Sequence, residues 1–283
     1  MKLEDISVTV VGLGVIGGSF AEGLKKMGVH KVYGIDNNKS TLLKAKKNNM
    51  IDEGYESGEI PLAKSDVVII SLYPELLETF ILENNDFFKK DSFITDVTGI
   101  KEKILLEVVP KLRKDVDFIL GHPMAGREKR GIDYADIDVF KNANYIIIED
   151  KKNKPENLKI LEEIINKLEF KNINYLGAKE HDEIIAFTSQ LTHAIAVSLV
   201  NSDNDKYDTN KFIGDSYRDL TRIAKINEDL WAELFLGNKE NLLSRIEEFE
   251  NKLDIIKDAL KNNDIQTLKK EFIESTTRRE KIS

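Results

Sequence analysis

His122, one of four histidines in 283 residues, lies in LGHPMAGREKRG, residues 120–131. An imidazole with an ordinary pKa near ~6.5 suits general-base work near neutral pH. Pro123 and Gly126 follow closely, predicting that regular backbone stops here in a sharp bend that aims the ring. A second chemical signal is VTVVGLGVIGGSF, where Gly12, Gly14 and Gly17 have GxGxxG spacing after an apolar run and before a helix. The first glycine makes a tight turn, the second admits a pyrophosphate, and the third lets helix and strand pack closely. Val15 and Ile16 open that helix, whose free N–H groups and dipole favour phosphate. KVYGID ends in Asp36, where a carboxylate binds adenosine ribose hydroxyls and repels an additional phosphate. Asn37 and Asn38 supply no compensating arginine, although Lys39 follows. With Ser71 at the end of DVVIISL, these residues form the candidate site for NAD.

The elements that must position these groups have an alternating texture. SVTVVGLG, KVYGID, DVVIISL, SFITDV, DFILG, NYIIIE and INYLG are strand candidates separated by helix-length segments. Such continuous apolar runs predict a mostly parallel sheet covered on both faces, a Rossmann-type doubly wound α/β domain over residues 1–177. In this architecture the reactive end of a dinucleotide lies beyond the carboxyl ends of the strands. DFILG leads directly to His122, and SFITDV leads to Thr98, Gly99 and Lys101. Residues 178–283 read as an all-helical domain. HDEIIAFTSQLTHAIAVSLVN is expected to be one long, largely buried helix. Leu242, Ile246, Phe249, Leu253, Ile256 and Leu260 advance by fours and threes, giving a narrow seam. It suits packing within the domain or a subunit interface.

Composition narrows the function classes. A net charge of −8 argues against a general nucleic-acid binder. No apolar stretch is expected to reach the ~20 residues that span a bilayer, and the early strand leaves no room for a signal peptide, so no membrane partner is expected. The absence of cysteine excludes disulfides and thiolate chemistry and fits a cytoplasmic location. No close histidine pair is present, and no protein-built metal site is expected.

GHPMAG after a Rossmann strand, then SQLTHA and YRDLTRIA with a tryptophan nine residues past the second arginine, resembles prephenate dehydrogenase. The resemblance extends from about residue 6 into the final helices and is of the short form, with no C-terminal regulatory domain. It implies NAD-dependent oxidative decarboxylation of prephenate to 4-hydroxyphenylpyruvate in tyrosine biosynthesis, by a homodimer joined through the helical domain. His122 is then the partner of the substrate hydroxyl. Arg222 matches the family's carboxylate-binding arginine, and its planar fork suits that group. Arg218, four residues earlier, is a second candidate. Asp215 and Asp219, each three residues before an arginine, offer the competing reading of surface ion pairs. His193 and Trp231 match residues of the substrate cavity, although either type is ordinary in a core. Glu128 matches an acidic residue at the pocket mouth, or belongs to the charged run REKR.

Some positions depart from the family. Gly99 occupies the place of a serine that assists the histidine, leaving Thr98, one residue away, as the candidate hydroxyl. Gln190 replaces the first histidine of a common HLPH stretch. Arg218 replaces a lysine of some members, and Arg127, where some have threonine, is a further candidate for an anionic side chain. Arogenate, whose ammonium a basic pocket tends to reject, is the alternative substrate. A non-catalytic NAD-binding sensor is the alternative from another class, suggested by Gly99. A β-hydroxyacid dehydrogenase is disfavoured, since residues 181–201 contain no lysine.

Overall fold

A computed structural model describes residues 2–127 and 129–282. Its first sheet has six parallel strands in the order β3-β2-β1-β4-β5-β6. These are β1 (Ser7–Val11), β2 (Lys31–Ile35), β3 (Glu53–Tyr55), β4 (Val67–Ile70), β5 (Phe93–Asp96) and β6 (Asp117–Ile119). Val67 and Ile69 enter one hydrophobic cluster, and Val68 and Ile70 the other. Alternate side chains of β4 are thus buried on opposite faces, which is why the strand is apolar throughout. The helices α1 (Val15–Lys26), α2 (Lys39–Lys47), α3 (Glu59–Lys64) and α4 (Pro74–Asn84) alternate with these strands. The strand order reverses beside β1, and the crevice at its carboxyl end is where this architecture places a dinucleotide.

A second sheet, which the sequence did not separate from the first, contains β7 (Gly121–Pro123), β8 (Asn144–Ile148) and β9 (Asn172–Leu176). The amphipathic α5 (Pro155–Lys167) joins the latter two, burying Ile160, Leu161, Ile164 and Ile165. The expected break at His122 is corrected here. His122 is the middle residue of β7, paired antiparallel opposite Ile146, and Met124 N continues the contact to Asn144 O at 2.8 Å. The chain passes from β6 to β7 through the single residue Leu120, whose carbonyl accepts from Ile148 N at 2.9 Å, so the histidine lies on extended backbone that leaves the first sheet for the second. Gly126 has no left-handed backbone; among the described glycines only Gly12, Gly28 and Gly131 do.

From Ala178 onward the described elements are helical. α6 (Ala178–Ile185) and α7 (Leu191–Asn201) are joined without a break by a π turn, Ala186–Gln190. Two expectations about this segment change. The helix Ala178–Asn201 does have the length and hydropathy to cross a membrane, and only 28% of its most apolar stretch is buried. Its first half carries the buried pair His181 and Asp182, bonded to the α/β domain. The helices α8 (Asp215–Thr221), α9 (Glu228–Gly237), α10 (Lys239–Lys261) and α11 (Ile265–Glu280) follow. The α10 seam is covered at Leu242 and open at Leu253 and Leu260, which are 52% and 62% exposed.

Candidate active site

The glycine turn is built as its spacing predicts. Gly12 has φ +80°, and a Cβ there would lie 2.4 Å from Ser71 O. A Cβ on Gly17 would lie 1.9 Å from Gly12 O, so α1 can approach β1 only with hydrogen at that position. Above Gly14, by contrast, nothing lies within 4 Å of the absent side chain. Gly14 begins α1 without a capping side chain, and Val15 and Ile16 form its first turn. A bare helix N-terminus beneath open space fits a pyrophosphate. Asp36 follows β2 and accepts from Leu13 N and Asn38 N, both at 2.9 Å. These bonds fix the carboxylate beside the turn and leave acceptor sites on both oxygens for ribose hydroxyls. Lys39, the residue that left a second phosphate open, pairs with Glu56 at 3.4 Å.

The β5 terminus carries a hub that sequence reasoning did not assign. Asp96 Oδ2 accepts from Thr98 N at 3.0 Å, from the Thr98 hydroxyl, and from Lys101 Nζ at 2.5 Å. Asp96 Oδ1 accepts from Gly121 N at 3.2 Å. Lys101 and Asp96 have no solvent exposure, and burial pulls the lysine below its usual pKa range while Asp96 opposes that shift. The Thr98 hydroxyl therefore faces this ion pair, receiving also a Lys101 hydrogen bond at 3.1 Å. Gly99 is the residue of this loop that faces the histidine: a Cβ there would lie 3.9 Å from His122 Cε1 and 3.2 Å from Leu234 Cδ2.

Across the domain junction, His122 Nδ1 lies 2.9 Å from His181 Nε2, and His181 Nδ1 lies 2.7 Å from Asp182 Oδ1. Burial pushes His122 well below the ordinary imidazole pKa, and the neighbouring His181 and Lys101 add to the shift. Burial also lowers His181, against the opposing hydrogen bond that its Nδ1 donates to Asp182. Both rings are consequently neutral at pH 7. The Asp182 carboxylate also accepts from Lys101 N and Glu102 N, each at 2.9 Å. His181 and Asp182 were missed as site residues because their partners are remote in sequence; two polar residues opening an apolar helix were the available signal.

The helical half contributes a second cluster. The His193 ring stacks on Trp231 with centroids 3.6 Å apart, and its Nδ1 donates to Ser189 O at 2.9 Å. Trp231 lies on α9 one turn before Leu234, the residue facing Gly99, so this helix links the cluster to the His122 side. Gln190 is a buried brace: its amide donates to Leu234 O at 2.9 Å and accepts from Asn238 Nδ2 at 2.8 Å. Arg222 begins the 3-10 turn Arg222–Ala224, which packs on α7, the helix that carries His193. Arg218 is exposed and pairs with Asp215 at 3.0 Å, the surface ion pair that its spacing allowed. Arg127 pairs with Asp136 at 3.0 Å. Glu128 lies outside the described residues.

Comparison with known proteins agrees with this arrangement. Residues 20–174 match the family described as prephenate dehydrogenase, nucleotide-binding domain, and residues 177–274 match its dimerization domain. Prephenate dehydrogenase of Bacillus subtilis (strain 168) is 30% identical over 274 residues, covering 94% of this chain and 73% of that protein. The crystal structure of prephenate dehydrogenase from A. aeolicus in complex with hydroxyphenyl propionate and NAD+ is 30% identical, with a TM-score of 0.90 and full coverage of both chains. Synechocystis arogenate dehydrogenase, at 24% identity and a TM-score of 0.82 over 98% of this chain and 100% of the other, shares the fold. By the extent of these matches across both halves, the chain belongs to the prephenate dehydrogenase family.

Proposed function

We propose that this dehydrogenase oxidatively decarboxylates prephenate, with His122 as the base for the ring hydroxyl. The observation that carries the reading is the His122 imidazole at the carboxyl edge of the α/β domain, 2.9 Å from His181 of a helical half that also contains His193, Trp231 and Arg222. NAD, held by the Gly12–Gly14–Gly17 turn, the first turn of α1 with Val15 and Ile16, Asp36 and Ser71, supplies the hydride acceptor when bound. His122 takes the hydroxyl proton as the C–H bond beside that oxygen breaks. Loss of the ring carboxylate as CO2 then makes the ring aromatic and its oxygen a phenolate, which recovers the proton. Proton transfer by His122 is therefore balanced over the cycle. Arg222 suits one substrate carboxylate by its bidentate geometry, and Trp231 and His193 form a flat wall for the ring. Arg218 and Arg127 would have to exchange their aspartate partners to join, and Thr98 acts through the loop it braces.

Assaying the purified protein with prephenate and with arogenate, following NADH absorbance, tests this reading. Turnover of prephenate in preference to arogenate is expected. Turnover of neither acid, with NAD still bound tightly, would instead identify a non-catalytic sensor. Gly99→Ser supplies a further expected result. Its Cβ requires Leu234 to yield by a few tenths of an ångström and brings a hydroxyl beside His122. We expect a several-fold rise in kcat, about what one hydrogen bond of ~1 kcal/mol provides. An unchanged steady-state kcat would deny that position an assisting role.

The assembly we propose is a homodimer through the helical half, in keeping with a cytoplasmic biosynthetic enzyme. Leu253 and Leu260 on α10, with Phe272 and Ile273 on α11 at 59% and 68% exposure, leave apolar surface for a second copy. Light scattering should give twice the 32.3 kDa chain mass. A monomer throughout the working concentration range would refute this.

A further inference from the structure

The bonds between His122, His181 and Asp182 determine which nitrogens carry protons. A carboxylate only accepts, so His181 donates to Asp182 from Nδ1. The His181 ring is neutral and has one N–H, leaving a lone pair on Nε2. The 2.9 Å bond between the rings must then be donated by His122 Nδ1–H. His122, also neutral, has its own lone pair on Nε2.

We propose that His181, oriented by Asp182, is a positioning residue that fixes His122 in its Nδ1–H tautomer and so presents a basic Nε2 to the substrate hydroxyl. The inference rests on the reading of His122 as the base. Free imidazole in a histidine side chain favours N–H at Nε2, the form in which that nitrogen accepts nothing. An acceptor opposite Nδ1 reverses the preference. The surrounding charges do not replace it: Lys101 disfavours a second proton on either ring, while Asp182 and Asp96 favour one at His181 without overcoming its burial.

The arrangement also ties the tautomer to domain docking. Asp182 Oδ1 receives both His181 Nδ1–H and Lys101 N–H, and Oδ2 receives Glu102 N–H. The Asp182 main-chain oxygen accepts from Asn238 Nδ2 at 2.8 Å, which braces the start of α10. One residue thus holds the 99–102 loop, the long helix and the relay in register.

Ring nitrogen NMR of the full chain labelled with ¹⁵N-histidine tests the proposal, His122→Asn assigning the His122 resonances. In the native chain His122 is expected to show a protonated Nδ1 and an unprotonated Nε2 at pH 7. His181→Phe keeps a ring but removes the acceptor. It should shift His122 toward the Nε2–H form and lower kcat by about 10²- to 10⁴-fold, the range over which a misplaced imidazole proton matters. His181→Gln restores a carbonyl acceptor and should recover the native tautomer with part of kcat. A protonated Nε2 in the native chain overturns the proposal even should His181→Phe fail to fold, as does His181→Phe with native nitrogen shifts and native kcat. Full activity in His122→Asn would instead refute the base assignment, a result independent of the tautomer spectrum.

Discussion

His122→Asn should lower kcat by about 10²- to 10⁴-fold, while NAD affinity stays near that of the native chain. Asparagine can donate from its amide toward His181 Nε2 much as His122 Nδ1 does, at 2.9 Å in the native chain. It has no basic nitrogen to offer a hydroxyl. The dinucleotide turn lies on other strands, which separates the effect on chemistry from cofactor binding. Stopped-flow measurement of NADH formation with saturating substrates reads the chemical step; retention of native kcat rejects His122 as the base.

The acid response of the same residue follows from its direction of shift. His122 and His181 are both held below their ordinary value of 6.5 in the folded chain. Between those depressed values and 6.5, the unfolded chain binds more protons than the folded one. The stability contributed by these neutral rings is therefore present above pH 6.5 and is lost as pH falls. At its steepest the loss approaches about 1.4 kcal/mol per pH unit for each histidine. Urea denaturation at pH 7.5 and 5.5 should show lower acid stability and a smaller decrement in His122→Asn. Activity above pH 6.5 should show no acid limb from His122.

Asp96→Ala should reduce folding stability by about 3–5 kcal/mol, because it leaves the Lys101 ammonium buried without its carboxylate. Gly121 N–H and Thr98 N–H lose their acceptors in the same change. The Gly121 bond is adjacent to His122, so the damage reaches the site as well as the core. Asp96→Asn combined with Lys101→Met removes both charges and retains an acceptor oxygen. This pair should recover most of the stability, since replacing a buried ion pair together is far less costly than breaking it. Denaturant unfolding followed by far-ultraviolet circular dichroism compares the variants. An Asp96→Ala chain as stable as the native one would contradict the proposed importance of the hub.

The legible part of this structure was the part governed by local rules. Gly12, Gly14 and Gly17 announced the turn because the backbone there tolerates no side chain at two of the three positions. β1 and β4 announced themselves by apolar runs buried on both faces. β3 did not, because EGY is a three-residue edge strand with a charged first residue. β7 was hidden by Pro123, which ends regular pairing in most contexts yet is acceptable at the edge of a sheet. The apolar sequence of residues 181–201 suggested burial, but composition does not distinguish packing within a chain from a surface awaiting another. The relay from Asp182 to His122 and the pairing of Asp96 with Gly121 depend on contacts across 59 and 25 residues. No local pattern encodes them.

The π turn Ala186–Gln190 has a consequence for helical phase. His181 and His193 are twelve residues apart, which in an unbroken α-helix places them about 120° apart around the axis. A π turn accommodates one additional residue without advancing the remaining helix, reducing that separation to about 20°. The two histidines thereby lie along nearly one azimuth, one beside the base and the other beside the aromatic wall. Excising a single residue from this wide turn would preserve their alignment, whereas inserting one into the regular helix on either side would rotate them apart.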